Sequence, residues 1–201
     1  MQLGVLSAAH DVGRDFWLDG TGLARIEVEI GPGSCGYLTA AARRHRDTLF
    51  VGIEIQRGAL KPVIGLRPAP PNLRLLNADG SWVVRHLLAP ASIDAFHVYF
   101  PDPWWKKRHY KRRLFQQPFC EALAMTLAPC GAVHVVTDVA PLMGEIRHQM
   151  LGAGFVAETW ERTGSDLECS SYERKYRAQN RHFEQWIFRP AGADADRERM
   201  S

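Results

Sequence analysis

The chain has 201 residues, 46% hydrophobic and 23% charged, with a formal net charge of +3, values typical of one globular domain with a sizeable core. It contains no run of 18 or more apolar residues, and its first 15 residues lack the basic head and apolar body of a signal peptide, so we expect a cytoplasmic protein without a membrane span. The four cysteines form no C-x-x-C pair and the histidines have no metal-ligand spacing, so the sequence predicts neither a metal site nor a disulfide framework.

Strand-like and helix-like segments alternate along the chain. The predicted strands span residues 24–31, 48–55, 72–79, 93–101, 132–139, 154–161 and 182–190. The predicted helices span residues 34–47, 80–88, 112–129 and 140–154. This alternation predicts an α/β fold with a doubly wound, Rossmann-like, mostly parallel seven-stranded sheet and helices on both faces. We further expect the last strand to run antiparallel.

Two stretches lack a regular pattern. Four prolines and two glycines interrupt residues 57–72, which predicts at most a short helix and a loop there. The tail after Pro190 has no apolar periodicity, so residues 191–201 are predicted to be disordered. We therefore expect residues 1–190 to form a single domain.

The first two predicted strands end in residues typical of a nucleoside site. In doubly wound sheets, ligands bind outside the carboxyl ends of the strands. Gly31, Gly33 and Gly36 follow the first strand in the order G-x-G-x-x-G, which a plain tight turn can also produce. Glu54 lies 21 residues beyond Gly33, where a carboxylate accepts hydrogen bonds from ribose hydroxyls. Together these residues favour a nucleoside-cofactor site.

Carboxylates at the strand ends distinguish between two cofactor classes. NAD needs a pyrophosphate cradle, whereas S-adenosylmethionine (SAM) carries an ammonium and a sulfonium that prefer nearby carboxylates, and Glu29 before the glycine turn favours SAM. Asp79 ends the third strand and could accept from an adenine amino group. Asp102 and Asp138 follow the fourth and fifth strands. The competing interpretation is that each acid is simply a helix N-cap.

Residues 99–114, YFPDPWWKKRHYKRRL, carry a local excess of positive charge. The remainder of the chain sums to −3, because six bases lie within eight residues without a single acid: Lys106, Lys107, Arg108, Lys111, Arg112 and Arg113. A solvated charge run is one interpretation. Interleaved aromatic residues favour nucleic acid, since stacking surfaces and phosphate-binding cations are what an RNA strand needs. Trp104 is expected to pack against the sheet, and Trp105 is a candidate for contact with a base.

The motifs EIGPG, GIE, NLRLLNAD, YFPDPWWKKRHYKRRL, TD and SYERKY resemble those of the tRNA (guanine-N7-)-methyltransferase family, the TrmB type of class I SAM-dependent methyltransferase. The resemblance runs from about residue 26 to residue 189. It implies methyl transfer from SAM to N7 of a tRNA guanine, in the variable loop, by a monomer or homodimer. In this chain Cys35 holds the place of the third glycine, Trp105 stands where the family commonly has His, and Ser170 replaces the usual Thr.

The resemblance also implies roles for individual residues. Those expected to bind the cofactor are Glu29, Gly31, Gly33, Glu54, Asp79 and Asp102. Those expected to touch the substrate are Lys106, Asp138, Ser170, Tyr172 and Glu173. RNA phosphate contacts are expected from Lys107, Arg108, Lys111, Arg112 and Arg113. Asp102 is the expected catalytic residue, orienting base and cofactor, while Asp138 or Glu173 reads guanine.

Three other functions remain open from the sequence. The chain could be a catalytically altered RNA-binding protein, which would bind RNA without binding SAM. It could be a SAM-dependent methyltransferase that acts on another RNA. A nicotinamide-dependent oxidoreductase is disfavoured, because no hydride-relay partner is evident and the basic block would have no purpose.

Overall fold

The computed structural model describes residues 22–65, 68–160 and 178–192. The strands are β1 (Arg25–Ile30), β2 (Thr48–Ile53), β3 (Leu73–Leu76), β4 (Ile93–Tyr99), β5 (Leu127–Thr137), β6 (Phe155–Thr159) and β7 (Glu184–Pro190). The helices are α1 (Gly36–Arg44), α2 (Lys61–Ile64), α3 (Gly80–His86), α4 (Gln117–Thr126) and α5 (Ala140–Gly152). Single 3₁₀ turns form at Arg57–Leu60 and Lys107–Arg112.

All seven strands belong to one sheet in the order β3-β2-β1-β4-β5-β7-β6. The pairs within β3-β2-β1-β4-β5 are parallel, and β7 runs antiparallel to both β5 and β6. The chain builds outward from β1 to β3 and then returns to place β4 on the other side of β1. The carboxyl ends of β1 and β4 therefore flank the switch in strand order, where doubly wound sheets bind ligands. The predicted mostly parallel sheet with an antiparallel last strand is confirmed.

Two apolar clusters cover the two faces of the sheet. The larger packs strand residues such as Val28, Phe96 and Val135 against α3, α4 and α5. The smaller packs Phe50 of β2 and Leu75 of β3 against α1 and α2. All six residues of β2 are buried, because a central parallel strand is covered on both sides. Helices on both faces are thus confirmed.

The predicted helix over residues 112–129 is too long. It begins at Gln117 because Pro118 lies in its first turn, where the missing N–H has no helical partner to lose. It ends at Thr126, since Leu127 is extended and already pairs with Ile93 in β5, five residues before the predicted start of that strand. The stretch 57–72 was expected to hold at most a short helix, and the described part of it contains a 3₁₀ turn followed by α2.

A buried polar network fixes the end of β4. The ring nitrogens of His97 lie 2.9 Å from a carboxylate oxygen of Glu27 and 2.9 Å from the hydroxyl of Tyr99. Burial tends to raise the pKa of Glu27, but the hydrogen bond and charge of His97 and the charge of Arg25 outweigh it and hold that pKa below its usual value. Because the folded pKa is lowered, this stabilisation is present at neutral pH and is lost as the pH falls through that pKa.

Parts of the chain lie outside the described residues, including 193–201, for which a disordered tail is predicted. The single domain over residues 1–190 stays a prediction. In the part that the structure describes, no helix combines the length and apolar character needed to cross a bilayer.

Candidate active site

A cavity of about 1050 Å³ opens at the carboxyl ends of β1, β2 and β4. The six residues predicted to bind the cofactor all line it: Glu29, Gly31, Gly33, Glu54, Asp79 and Asp102. Its volume matches that of pockets for drug-sized ligands and cofactors, which reach about 1,000 Å³. The fold thus gathers these residues around one space, and their role in binding stays a prediction.

Glu54 braces the glycine turn that forms one wall of the cavity. One carboxylate oxygen accepts a hydrogen bond from the backbone N–H of Gly33 at 3.0 Å, and the other accepts from that of Gln56 at 2.7 Å. The side chain is almost fully buried, and Gly31 and Gly33 have φ angles of 71° and 54°, which glycine adopts at no steric cost. The carboxylate therefore holds the turn in shape as well as facing the cavity.

Cys35 takes a glycine-like conformation at the end of this turn. Its φ angle is 55°, in the left-handed region that costs an ordinary side chain roughly 1–2 kcal/mol. The residue directly precedes α1, and its side chain is buried in the smaller apolar cluster. Packing of the thiol offsets the backbone cost, so the turn has left-handed geometry although a glycine is missing from its last position.

The thiols are expected to react very unequally with iodoacetamide at pH 8. Burial, followed by the charges of Glu29 and Glu54, raises the pKa of the Cys35 thiol far above its usual value, and burial raises that of Cys120 to about 12. Cys130 is exposed. Among the three described cysteines, peptide mass spectrometry over time should find Cys130 modified before Cys35 and Cys120, which react only after denaturation in urea. Equal rates for Cys35 and Cys130 in the folded protein would contradict this assignment.

Asp79 caps a helix while it faces the cavity. One of its carboxylate oxygens accepts from the backbone N–H of Trp82 at 3.0 Å, which satisfies a free donor in the first turn of α3. The helix-cap interpretation is thus correct for this oxygen. The same carboxylate also lines the cavity, so capping orients a group that a ligand can reach.

The loop after β4 presents Asp102 from a strained backbone. Phe100 and Trp104 have φ angles of 53° and 44°, and left-handed conformations cost bulky residues roughly 1–3 kcal/mol each. They bracket the Pro101-Asp102-Pro103 segment, in which the two prolines fix φ on either side of the acid. Asp102 is exposed and lines both the main cavity and a smaller recess of about 410 Å³. Strain concentrated around one exposed acid is typical of a functional site.

Arg113 ties this loop to the body of the protein. Its Nε donates to the carbonyl of Pro103 at 2.8 Å, and its Nη1 forms an ion pair with Glu145 of α5. The guanidinium carbon lies 3.6 Å from the centre of the Tyr110 ring, and the side chain is only 9% exposed. These contacts give Arg113 a structural role. Its side chain also lines the main cavity, and the phosphate contact expected for it stays a prediction.

Arg113→Gln is expected to loosen the loop without unfolding the protein. The amide cannot reach both Pro103 and Glu145, and loss of a charged hydrogen bond costs about 1.5–3 kcal/mol. Urea denaturation should give a free energy of unfolding lower by about that amount. Hydrogen exchange should rise at residues 104–106. Arg108→Gln serves as the control because Arg108 is exposed and, within the described part of the chain, its side chain forms a hydrogen bond only with its neighbour His109. If the two variants had equal free energies of unfolding and equal hydrogen-exchange rates, Arg113 would not hold the loop in place.

The other five bases of the block are exposed beside the cavity. Lys111 and Arg112 line the main cavity, and Lys106 lines the recess. The guanidinium of Arg112 lies 5.1 Å from the centre of the Trp104 ring, a cation–π geometry. The exposed positive charge therefore surrounds the side of the site to which Asp102 belongs.

The remaining predicted substrate contacts are not gathered in the same way. Asp138 follows β5, forms an ion pair with Arg181 at 3.1 Å and lines neither cavity. The expected contacts of Ser170, Tyr172 and Glu173 lie outside the described residues.

Sequence reasoning missed several residues that line the main cavity. Ile55 is the clearest, because its apolar side chain is 66% exposed directly after Glu54, and an exposed Ile at a strand end could have been the signal. Gln116 and Phe119 also line the cavity, but no local pattern marks them, since the start of α4 reaches the site only through the fold. Within residues 22–65, 68–160 and 178–192, no cluster of potential ligands could hold a metal ion.

Comparison with known proteins gives both sequence and structural relatives. A family model described as "Putative methyltransferase" matches residues 24–186. A tRNA (guanine-N(7)-)-methyltransferase of Thiobacillus denitrificans is 42% identical over 114 residues, 55% of this chain and 50% of that protein. A protein of the same name from Treponema pallidum subsp. pallidum is 33% identical over 169 residues, 82% of this chain and 67% of that protein. The crystal structure of the 16S rRNA methyltransferase KamB matches with a TM-score of 0.62 and 15% identity, over 90% of this chain and 93% of that one.

These comparisons differ in how much of each relative is matched and in what the match supports. The chain spans 50% of the first relative and 67% of the second, so it corresponds to part of each. At 15% identity, the likeness to KamB extends to the fold alone.

Proposed function

The chain belongs to the methyltransferase family whose model matches residues 24–186, and from this premise we propose that it transfers a methyl group from SAM to N7 of a guanine in tRNA. The observation that carries the proposal is the cavity at the strand ends, where three carboxylates and a glycine turn meet an exposed acid and a basic block. The two relatives named above carry the name of this reaction.

The cavity fits SAM in its charge. Glu29, Glu54 and Asp79 supply negative charge, and this cofactor carries an ammonium and a sulfonium but no phosphate. Glu54 holds the turn through two backbone N–H groups, while Asp79 is oriented by its helix cap. When bound, SAM supplies an electrophilic methyl group on a positively charged sulfur. We propose that Gly31 and Gly33 let the backbone approach it closely.

The exposed bases support an RNA substrate. Five cations flank the cavity on the side of Asp102, and clustered Lys and Arg residues supply the electrostatic part of nucleic-acid binding. We propose phosphate contacts from Lys107, Arg108, Lys111 and Arg112, with Lys106 nearer the base. For Arg113, which also lines the cavity, we propose a weaker phosphate contact, because its guanidinium already contacts Pro103 and Glu145.

The chemistry that we propose needs no general base. Guanine N7 carries a lone pair and no proton, so it attacks the methyl carbon in line as the carbon–sulfur bond breaks and its electron pair stays on sulfur. Positive charge passes to the purine during the transfer. Asp102, fixed between two prolines, would stabilise that developing charge, and preorganised groups of this kind act without reorganisation cost. Alignment of the two partners contributes the rest of the rate acceleration.

We propose that either Asp138 or Glu173 reads guanine. A carboxylate accepts hydrogen bonds from N1–H and the exocyclic amine of guanine, a pattern of donors that adenine lacks. For Asp138 this requires that the ion pair with Arg181 open or rearrange when RNA binds.

The test is a labelling reaction with purified protein, methyl-labelled SAM and unmodified tRNA transcripts. After digestion of the RNA, the labelled nucleoside is identified by chromatography and mass spectrometry. Label in 7-methylguanosine supports the proposal. Label in another nucleoside, or in a different RNA only, would keep the methyltransferase and overturn the acceptor, whereas RNA binding without SAM binding would indicate a protein that has lost turnover.

A further inference from the structure

A second, smaller recess shares Asp102 with the main cavity. It measures about 410 Å³ and is lined by Asp102, Pro103, Trp104, Trp105, Lys106 and His109. Asp102 and Trp104 also line the main cavity, so the two spaces are separated by little more than these side chains. A group seated in the recess would therefore face Asp102 and lie close to a ligand in the main cavity.

The two tryptophans of the recess are not equivalent. Trp104 is half-buried, with the edge of His109 at 5.7 Å and the guanidinium of Arg112 at 5.1 Å from its ring centre. Trp105 is 71% exposed, and within the described part of the chain no ring or cation contact involves its indole. Trp105 also lines the recess, so its exposed indole can be reached by a group seated there. Trp105 is thus the aromatic surface available to a ligand.

The chemistry of the recess selects a purine nucleotide. An indole face stacks on nucleobases, Asp102 attracts a base that gains positive charge, and Lys106, which also lines the recess, offers a cation to a phosphate. Exposed Lys107 and Arg108 continue this charge outward. Methylation at N7 makes guanine a cation, and indole is the aromatic ring that attracts cations most strongly. Stacking on Trp105 would therefore strengthen as the transfer proceeds, which accelerates the reaction rather than only tightening binding.

We propose that this recess binds the acceptor guanine, with Trp105 stacked on the base and favouring its cationic, methylated form. The inference rests on the proposed function and deepens it. Trp105 acts as a substrate-binding residue that distinguishes a base developing positive charge from one that does not. A matching consequence is that the product base binds more tightly than the substrate base.

Two measurements test this assignment on the full chain. The first is steady-state methyl transfer to tRNA by wild type, Trp105→Ala, Trp105→Phe and Trp82→Ala. The Trp105→Ala variant should lose about tenfold to a hundredfold in kcat/KM, the range expected for one base stack, mostly in kcat. The Phe variant should recover part of the loss, because Phe stacks but attracts cations less strongly. Trp82 is 43% exposed and lines neither space, so Trp82→Ala is the matched control.

The second measurement does not depend on turnover. Tryptophan fluorescence is titrated with GMP and with 7-methyl-GMP in the presence of S-adenosylhomocysteine. Wild type and Trp82→Ala should bind the methylated nucleotide more tightly, by about threefold to thirtyfold from a cation–π contact. In Trp105→Ala, the ratio of the dissociation constant for GMP to that for 7-methyl-GMP should be at least threefold smaller than in wild type. Any preference for the methylated nucleotide that is left would come from the charge of Asp102.

The proposal requires that Trp105→Ala lower kcat/KM and also reduce the preference for 7-methyl-GMP. If Trp105→Ala matches Trp82→Ala in either measurement, Trp105 does not hold the acceptor base and the assignment is overturned. If wild type labels no RNA, the proposed function fails separately, and the nucleotide titration alone decides whether the recess binds a purine.

Discussion

Asp102→Asn is expected to lower kcat for methyl transfer by about 10²–10³-fold, the usual effect of removing one preorganised electrostatic group. The amide keeps the size of the carboxylate but not its charge, so it cannot stabilise positive charge that develops on the purine. Phe100, Trp104 and the two flanking prolines hold the loop in both forms. Binding of tRNA should therefore change by less than about threefold.

Single-turnover kinetics with saturating SAM would measure this effect separately from binding. Glu158→Gln provides a matched control, because it removes one exposed negative charge on β6, away from both cavities. A near-normal rate for Asp102→Asn would mean that alignment alone drives the transfer. A rate loss explained by weaker tRNA binding would assign the acid to recognition.

Glu54→Gln should weaken SAM binding by about tenfold to a hundredfold, which corresponds to loss of one charged hydrogen bond. The carboxylate accepts from the N–H groups of Gly33 and Gln56, whereas an amide has one acceptor oxygen and would turn its NH₂ toward the other donor. The glycine turn would then relax. The free energy of unfolding should also fall, by about 1–3 kcal/mol, because a buried N–H is left without an acceptor.

Isothermal titration calorimetry with SAM and urea denaturation would measure the two effects. Glu121→Gln is the control, because residue 121 is exposed on α4 and its carboxylate, within the residues that the structure describes, accepts a hydrogen bond only from the side chain of Gln117. If the dissociation constant of Glu54→Gln for SAM lay within about twofold of the wild-type value, the glycine turn would not depend on the hydrogen bonds to Glu54.

The sheet could be predicted from the sequence because its strands are short apolar runs between turn residues. The run TLFVGI of β2, for example, can be recognised in the sequence as a buried strand, and all six of its residues are buried in the structure. The cavity could be predicted for a related reason. Parallel strands bring their carboxyl ends to one edge, so Glu29, Glu54 and Asp102 had to meet once the sheet was assumed.

The direction of individual side chains could not be predicted. Arg113 sits among exposed bases in the sequence, yet it turns inward because Glu145, 32 residues later, and the carbonyl of Pro103 reach it in the fold. The boundary at Leu127 was missed for a similar reason. Pairing with Ile93, a distant residue, decides that Leu127 is extended, whereas its local sequence is compatible with a helix.

The exposed bases, Trp105 and Asp102 all come from one continuous piece of chain, residues 99–114. This piece lines part of the main cavity, whereas Glu29, Glu54 and Asp79 reach the cavity from other strand ends. The attachment of that piece to the rest of the fold includes β4, α4 and the ion pair to Glu145. It can therefore be exchanged as a module. Under the proposed function, recombination or design that replaces residues 105–110 and keeps Asp102, Arg113 and Glu145 would change which nucleotide is presented, while Glu29, Glu54 and Asp79 of the main cavity stay in place.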